Sequence, residues 1–364
     1  MRVRGLWLGD FRNFAAAELA PAPGLSALVG ANGQGKTNLL EALAYLATLS
    51  SFRGAPGEAL VRAGAEHAVV RAEIDPEQPG RTSSILVEAE LRPSGRDRVL
   101  VNRQPLRRAS DLAGTVRVSV FSPDDLALVK GGPARRRALV DGLLAATSPR
   151  LAAVQADLER VLRQRGTLLR QAGGRLGDDI AVTLDVWDAK LSELGEALGR
   201  ARAELVDQLQ PLVGKIYDQV AESAAEVALE YLAPWRAGGL AGALSAARAD
   251  DVRRGVSTVG PHRDDVGIGV AGLPARTHAS QGEQRSLALA LRLAGHQVVE
   301  EASGSAPVLL LDDVFSELDA RRAGALLAHL PRAQALLTTT GPVPAGVTPE
   351  LVVRVEGGRL ERVG

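Results

Sequence analysis

The sequence predicts an α/β protein whose two sheet-forming halves lie towards the ends of the chain, with a helical block between them. Three observations predict it. A strand pattern at residues 25–30 runs through a glycine-rich segment into a helical pattern at Asn38–Leu49. Apolar residues recur at helical spacing from Leu151 to Ile216. Pro307–Leu311 is a continuous apolar run ending in two acids, as expected of a strand buried on both faces.

Taken in order, residues 2–8 read as a first strand and residues 25–30 as a second. Val69–Ile74, Ile85–Leu91, Val99–Val101 and Val116–Phe121 are short alternating runs with Pro and Gly punctuation, the pattern of strands. The character changes after Pro149. Leu151, Val154, Leu158 and Val161 share one helical face, and Gly173-Gly174 breaks the pattern. Leu184, Trp187, Leu191, Leu194, Leu198, Leu205, Leu209, Leu212 and Ile216 resume it. At 1.5 Å per residue, roughly 40 residues make a helix of ~60 Å. The two segments predict a helical hairpin, either a projecting arm or part of a plain helical subdomain. Strand signals return after Ser257, with Ala335–Thr340 as a further strand and a hairpin turning at Gly357-Gly358. The domains expected are 1–122 and 257–364 as two halves of one lobe. Residues 123–256 form a helical lobe between them, with its hairpin at about 150–225.

Composition narrows the function classes. The chain is 46% hydrophobic and 24% charged, ordinary for a globular protein. It has no cysteine, which excludes a disulfide framework, Cys-ligated zinc and a thiol nucleophile. No apolar run approaches the ~20 residues that span a bilayer. The first ten residues lack a signal-peptide core, so a cytoplasmic protein with no membrane partner is expected. Acids and bases balance at a net charge of +0, so no overall basic field draws in nucleic acid. Lysine occurs only at 36, 130, 190 and 215, which makes a lysine inside a motif informative.

Lys36 is in such a motif. Gly30-Ala31-Asn32-Gly33-Gln34-Gly35-Lys36-Thr37 fits G-x-x-x-x-G-K-[ST]. Glycines let the backbone turn its N–H groups towards phosphate oxygens, and the following helix presents its positive end to the same anion. Lys36 is expected to reach the β- and γ-phosphates of ATP, and the Thr37 hydroxyl to ligate Mg²⁺. With 39 glycines in 364 residues and lysine so rare, an accidental match arises in roughly one of a few hundred such chains. In the second half, Asp312 ends the apolar strand and is the candidate to hold Mg²⁺, with Asp313 placed to orient the attacking water. A strand-end Asp is otherwise a common turn cap. Ser280-Gln281-Gly282 opens a helix and makes a second anion-binding turn, or a simple N-cap.

Ser280-Gln-Gly-Glu-Gln284 resembles the signature motif of ABC-type ATPases, and Ser316-Glu-Leu-Asp319 the D-loop that follows it. Asp10-Phe-Arg-Asn-Phe14 is similar to the SMC-like segment whose arginine contacts the nucleotide. Phe121-Ser-Pro-Asp-Asp-Leu126, Gly131-Gly-Pro-Ala-Arg-Arg-Arg137 and Gly260-Pro-His-Arg-Asp-Asp265 narrow the resemblance to the RecF family, over essentially the whole chain. The resemblance implies a P-loop ABC-type ATPase head, a mixed sheet with an antiparallel β subdomain, plus a helical lobe with a helical-hairpin arm. It implies that two subunits sandwich two ATPs, with Ser280, Gln281 and Gly282 acting on the partner's nucleotide. Arg12, Asn13 and Asn38 join the nucleotide-binding set on the same ground. Lys36, Ser280, Asp312 and Asp313 make up the catalytic set.

The family acts with RecR and RecO, and indirectly RecA, on single-strand gaps and ss/dsDNA junctions in DNA replication, recombinational repair and the SOS response. Two departures stand out. Asp313 replaces the usual Glu, and Leu337-Thr338-Thr339-Thr340 offers hydroxyls where transporters carry a His; both imply slow hydrolysis. A transporter nucleotide-binding subunit is the alternative, but such subunits have a much shorter stretch between the lysine and the signature. Candidate DNA contacts are Arg107, Arg108, Arg135, Arg136, Arg137, Arg253 and Arg254. Each is as readily a solvated or salt-bridged surface residue.

Overall fold

The computed structural model describes residues 1–77, 83–175, 177–221, 225–317 and 320–363. It divides into two units. The first comprises Met1–Leu126, Lys215–Ala224 and Ser280–Gly364; the second comprises Ala127–Gly214 and Ala225–Ala279. No helix among the described residues is long and apolar enough to cross a membrane.

A six-stranded mixed sheet organises the first unit, in the order Arg359–Arg362, Leu351–Glu356, Leu25–Val29, Ala335–Thr339, Val308–Asp312, Val118–Phe121. All pairings are parallel except the terminal hairpin. The five residues of Val308–Asp312 are all buried, as the unbroken apolar run predicts. Their alternation serves two cores. Val308 and Leu310 pack with Leu39, Leu43 and Leu46 of the helix Lys36–Thr48. Leu309 and Leu311 pack with Leu289 and Leu293 of the helix Gln281–Ser303. Each fully buried leucine is worth about 1.5–3 kcal/mol. The two motif-bearing helices are thus held on opposite faces of the same strand.

An antiparallel sheet covers the other side of the helix Lys36–Thr48. Its order is Phe14–Leu19, Arg2–Phe11, Ala68–Asp75, Ile85–Leu91, Arg98–Val101, Gln104–Pro105. Ala68, Val70, Ala72 and Ile74 alternate inwards, as do Val87, Ala89 and Leu91, into the same core as the helix. Phe14–Leu19 left no strand signal, because its centre is alanine-rich. Its extended form comes from pairing with Arg2–Phe11, across a tight turn in which Arg12 adopts φ 55°.

The second unit contains the helical hairpin, Pro149–Gln171 and Asp178–Ala221; the last residues of the 44-residue second helix belong to the first unit. The hairpin is packed, not bare. Leu169, Ala172 and Leu184 share a core with Val252 of the helix Leu240–Arg254. Arg165, fully buried, donates to Asp188 at 2.6 Å, to Asp251 at 2.7 Å and to Ser257 at 2.7 Å. Arg202 forks onto Asp141 at 2.8 and 2.7 Å. A three-stranded sheet, Leu273–Pro274, Asp265–Val270 and Val227–Leu232, completes the unit.

The Gly260–Asp265 segment is the knot of this unit. Asp264 accepts from Trp235 Nε1 at 2.7 Å and from the Tyr231 hydroxyl, while Asp265 accepts the Arg136 fork at 2.7 and 2.8 Å. Burial pushes the Asp264 carboxyl above its usual range, and these donors oppose the shift. The anchoring explains why Asp265–Val270 groups with the helices, with the contact boundary at Ala279/Ser280, beyond the 256/257 boundary drawn from sequence.

Candidate nucleotide site

The strand Leu25–Val29 delivers the chain to Gly30, where the backbone lies against the neighbouring strand. A Cβ on Gly30 would stand 2.3 Å from the Val355 carbonyl oxygen, and φ is 156°. At Gly35 (φ 111°) a Cβ would stand 2.6 Å from Asn13 Nδ2 and 2.9 Å from the Phe14 ring. Gly33 has φ 80° and nothing within 4 Å of a Cβ, so the outer side of the loop is open. Ala31, Asn32 and Gly33 are exposed. No side chain caps the start of the helix Lys36–Thr48, which leaves its first N–H groups for an anion.

Lys36 folds back across this loop. Its ammonium donates to the Gly30 carbonyl at 2.7 Å and to the Ala31 carbonyl at 2.8 Å. Burial lowers its pKa, while the nearby Asp313 and Asp312 carboxylates oppose the shift. Thr37 donates to Asp312 Oδ1 at 2.7 Å, joining the two halves of the chain. Burial raises the Asp312 pKa; the Thr37 and Thr338 hydroxyls pull it back. Thr338, opposite Asp312 in the parallel register, donates to the same oxygen at 2.8 Å and accepts the Asp313 N–H at 2.9 Å. Asp313 itself is left-handed at φ 49°, with its carbonyl accepting from the Ser316 hydroxyl at 2.8 Å. Leu318 and Asp319 of the expected D-loop lie outside the described residues.

The donor set suits Mg²⁺. That cation takes hard oxygen ligands and uses one or two protein groups alongside phosphates and water. Thr37 and Asp312 supply such a pair. Among the described residues no cluster of three or more His, Asp or Glu side chains forms a self-sufficient metal cage.

The Asp10–Phe14 turn divides its work. Asn13 touches the loop: its Nδ2 donates to the Gln34 carbonyl at 2.9 Å, and its Oδ1 accepts from Asn38 at 2.8 Å. Arg12 is engaged elsewhere. Its Nε and Nη2 donate to Glu41 at 2.8 and 2.7 Å, and Nη1 donates to the Ala59 carbonyl at 2.8 Å. Gln34 also reaches forward, its Oε1 accepting the Gly357 N–H at 2.7 Å. Nothing in the local sequence announced the Glu41, Thr338 or Gly357 contacts, whose partners stand 29, 26 and 323 positions away.

Ser280 caps the helix Gln281–Ser303 through a reciprocal box. Its N–H donates to Glu283 Oε2 at 2.7 Å and its Oγ accepts the Glu283 N–H at 3.3 Å. These bonds hold the Glu283 carboxyl below its usual range. Gly282 lies under Arg322, whose Nη2 is 2.4 Å from where a Cβ would sit. Ser280 and Gln281 are exposed, and among the described residues no hydrogen bond joins them to the Lys36–Asp312 group.

Several of the candidate DNA-contacting arginines are committed. Arg136 is 7% exposed and forked onto Asp265, and Arg137 donates to the Asp264 carbonyl at 2.6 Å; Arg253 and Arg254 pair with Asp250 on their own helix but stay exposed. Arg107, Arg108 and Arg135 are exposed.

The family described as RecF/RecN/SMC N terminal domain matches residues 2–340. The chain belongs to the RecF/RecN/SMC family. It is 44% identical to the DNA replication and repair protein RecF of Streptomyces avermitilis, over 100% of both chains. It is 46% identical to that of Frankia alni, over 96% of each. A solved structure of RecF-ATP, a recombination mediator protein in the RecFOR pathway, superposes with a TM-score of 0.89 at 27% identity, covering 100% of this chain and 97% of that one. The fold is therefore the P-loop ATPase head of the RecF and SMC proteins. A transporter subunit is not favoured.

Proposed function

We propose that this chain is a RecF-type recombination mediator, an ATP-binding protein of DNA replication and repair. The observation that carries the reading is the convergence of Lys36, Thr37, Asp312 and Asp313 at one phosphate-sized loop, in a chain that aligns with RecF relatives end to end. Gly30–Asn38, with Asn13, forms the ATP-binding loop. Thr37 and Asp312 hold Mg²⁺, which supplies charge neutralisation at the phosphates when bound. Lys36 leaves the Gly30 and Ala31 carbonyls for the phosphates, and Asp313 orients the attacking water. Arg12 braces the P-loop helix through Glu41, and its effect on the nucleotide runs through that brace.

Ser280 and Gln281 are exposed, and with Gly282 they serve the nucleotide of a second subunit. ATP thereby drives formation of a two-fold dimer whose sites are each completed in trans. Hydrolysis is slow, because Asp313 has a shorter reach than Glu, and DNA stimulates it. The dimer gathers arginines of a neutral chain onto one DNA-binding face, so DNA binding at single-strand gaps and junctions is ATP-dependent and salt-sensitive. RecR and RecO are its partners, RecA loading is the outcome, and the cytoplasm is where it acts.

Sedimentation with ATP or ADP, with and without gapped DNA, tests this reading. The wild type is expected to dimerise with ATP only. Ser280→Arg is expected to bind ATP as a monomer and fail to dimerise; normal ATP-bound dimers in that variant would refute the composite site.

A further inference from the structure

Thr338, Thr339 and Thr340 stand where the sequence offered only hydroxyls for sensing the γ-phosphate. Their hydroxyls do different work. Thr339 accepts the Gly341 N–H at 3.3 Å. Thr338 is 1% exposed, and its hydroxyl is spent within the protein: the proton goes to Asp312 Oδ1 at 2.8 Å and a lone pair takes the Asp313 N–H at 2.9 Å. A hydroxyl has one proton to donate, so this one has none left for a phosphate.

The geometry assigns Thr338 as a positioning residue that straps together the two acids of the nucleotide site. This rests on the reading that Asp312 holds Mg²⁺. Two hydroxyls, from Thr37 and Thr338, converge on the same carboxylate oxygen. On the same reading Thr37 would also hold the ion, and its hydroxyl would then no longer be free to orient Asp312. Thr338 sits on the adjacent strand, in register with Asp312 and inside the sheet. It is then the remaining direct donor that fixes which way the carboxylate faces. Its second bond serves the neighbour. Just past the strand end, where the backbone turns left-handed at Asp313, the Asp313 N–H finds its acceptor in the Thr338 hydroxyl. One side chain thus sets both the plane of the Asp312 carboxylate and the start of the turn that aims Asp313. Partners of metal ligands at this distance matter, since their loss typically costs 10–100-fold in metal affinity or activity.

The test compares Thr338→Val, which keeps the shape and loses the hydroxyl, with Thr338→Ser, which keeps the hydroxyl. Nucleotide affinity measured in EDTA reports the intact loop. The Mg²⁺ concentration at half-maximal hydrolysis and the turnover number report the strap. Thr338→Val is expected to bind nucleotide in EDTA within about 2-fold of wild type, while its Mg²⁺ requirement rises or its turnover falls by about 10-fold or more. Thr338→Ser is expected to restore both. Should Thr338→Val not fold, Thr338→Cys, a near-isostere of serine with only a weak donor, takes its place with the same expected loss. Wild-type Mg²⁺ dependence and turnover without the hydroxyl, or a Ser variant as impaired as Val, would overturn the assignment. Asp312→Asn separates the two layers. If its Mg²⁺ dependence is unchanged, the reading of Asp312 as the Mg²⁺ holder fails; if it is impaired while Thr338→Val is normal, only the strap fails.

Discussion

Replacing Arg12 by alanine separates two roles that its sequence context confounds. The resemblance assigns this arginine to the nucleotide, whereas the structure commits three of its nitrogens to protein acceptors: a fork onto Glu41 at 2.8 and 2.7 Å and a bond to the Ala59 carbonyl at 2.8 Å. Glu41 is 0% exposed, on the inner face of the P-loop helix, and the Arg12 side chain is 17% exposed. Removing one partner of a buried pair typically costs 3–5 kcal/mol, because the remaining charge is left without compensation. Glu41 retains the Ser51 hydroxyl, which places the expected cost near the low end, about 3 kcal/mol. Urea unfolding should then show a midpoint lowered by about 1 M. Adding Glu41→Gln should recover part of the loss, with a coupling of about 2 kcal/mol. ATP affinity, measured well below the unfolding transition, should change far less than stability does. An Arg12→Ala protein with an unchanged urea midpoint and ATP binding weakened more than about tenfold would refute this reasoning and return the guanidinium to the nucleotide.

Two glycines of the loop should respond differently to alanine. Gly30→Ala places a methyl 2.3 Å from the Val355 carbonyl oxygen, so the loop or the strand must shift, and both stability and ATP affinity should fall steeply. Gly33→Ala meets nothing within 4 Å and should lose only about 1–2 kcal/mol of stability to left-handed strain; equal stability losses in urea melts would contradict the packing argument. His296 gives a pH signature. Burial, with the nearby N-terminal charge, lowers its pKa from 6.5 to about 4. The neutral ring is native, and the unfolded chain binds the extra proton below pH 6.5. Stability is therefore retained above that value and lost as pH falls, by about 2 kcal/mol at pH 5 and about 3 kcal/mol at pH 4. His296→Asn should flatten that slope between pH 7 and pH 5, and an unaltered slope would assign the acid sensitivity to other groups.

Much of this protein is decided by short stretches of sequence. Gly30–Thr37 sets its own turn because glycine alone tolerates those backbone angles, and Ser280 with Glu283 builds its own cap three residues apart. Alternation along Ala68–Asp75 and Ile85–Leu91, and the unbroken run at Val308–Asp312, declare one-sided and two-sided burial before any fold is known. Each of these depends on neighbours within a few residues, so periodicity and spacing carry it. The tertiary structure decided the rest. Parallel register brought Thr338 level with Asp312, and the helix start brought Thr37 to the same carboxylate from 275 positions away. Folding also tied Arg12 to Glu41 and stretched alanine-rich Phe14–Leu19 into a strand, against its local preference. The physical reason is the same in each case. A hydrogen-bond partner is chosen by which buried group is nearest once the strands have paired, and that distance is not written in the spacing of residues along the chain.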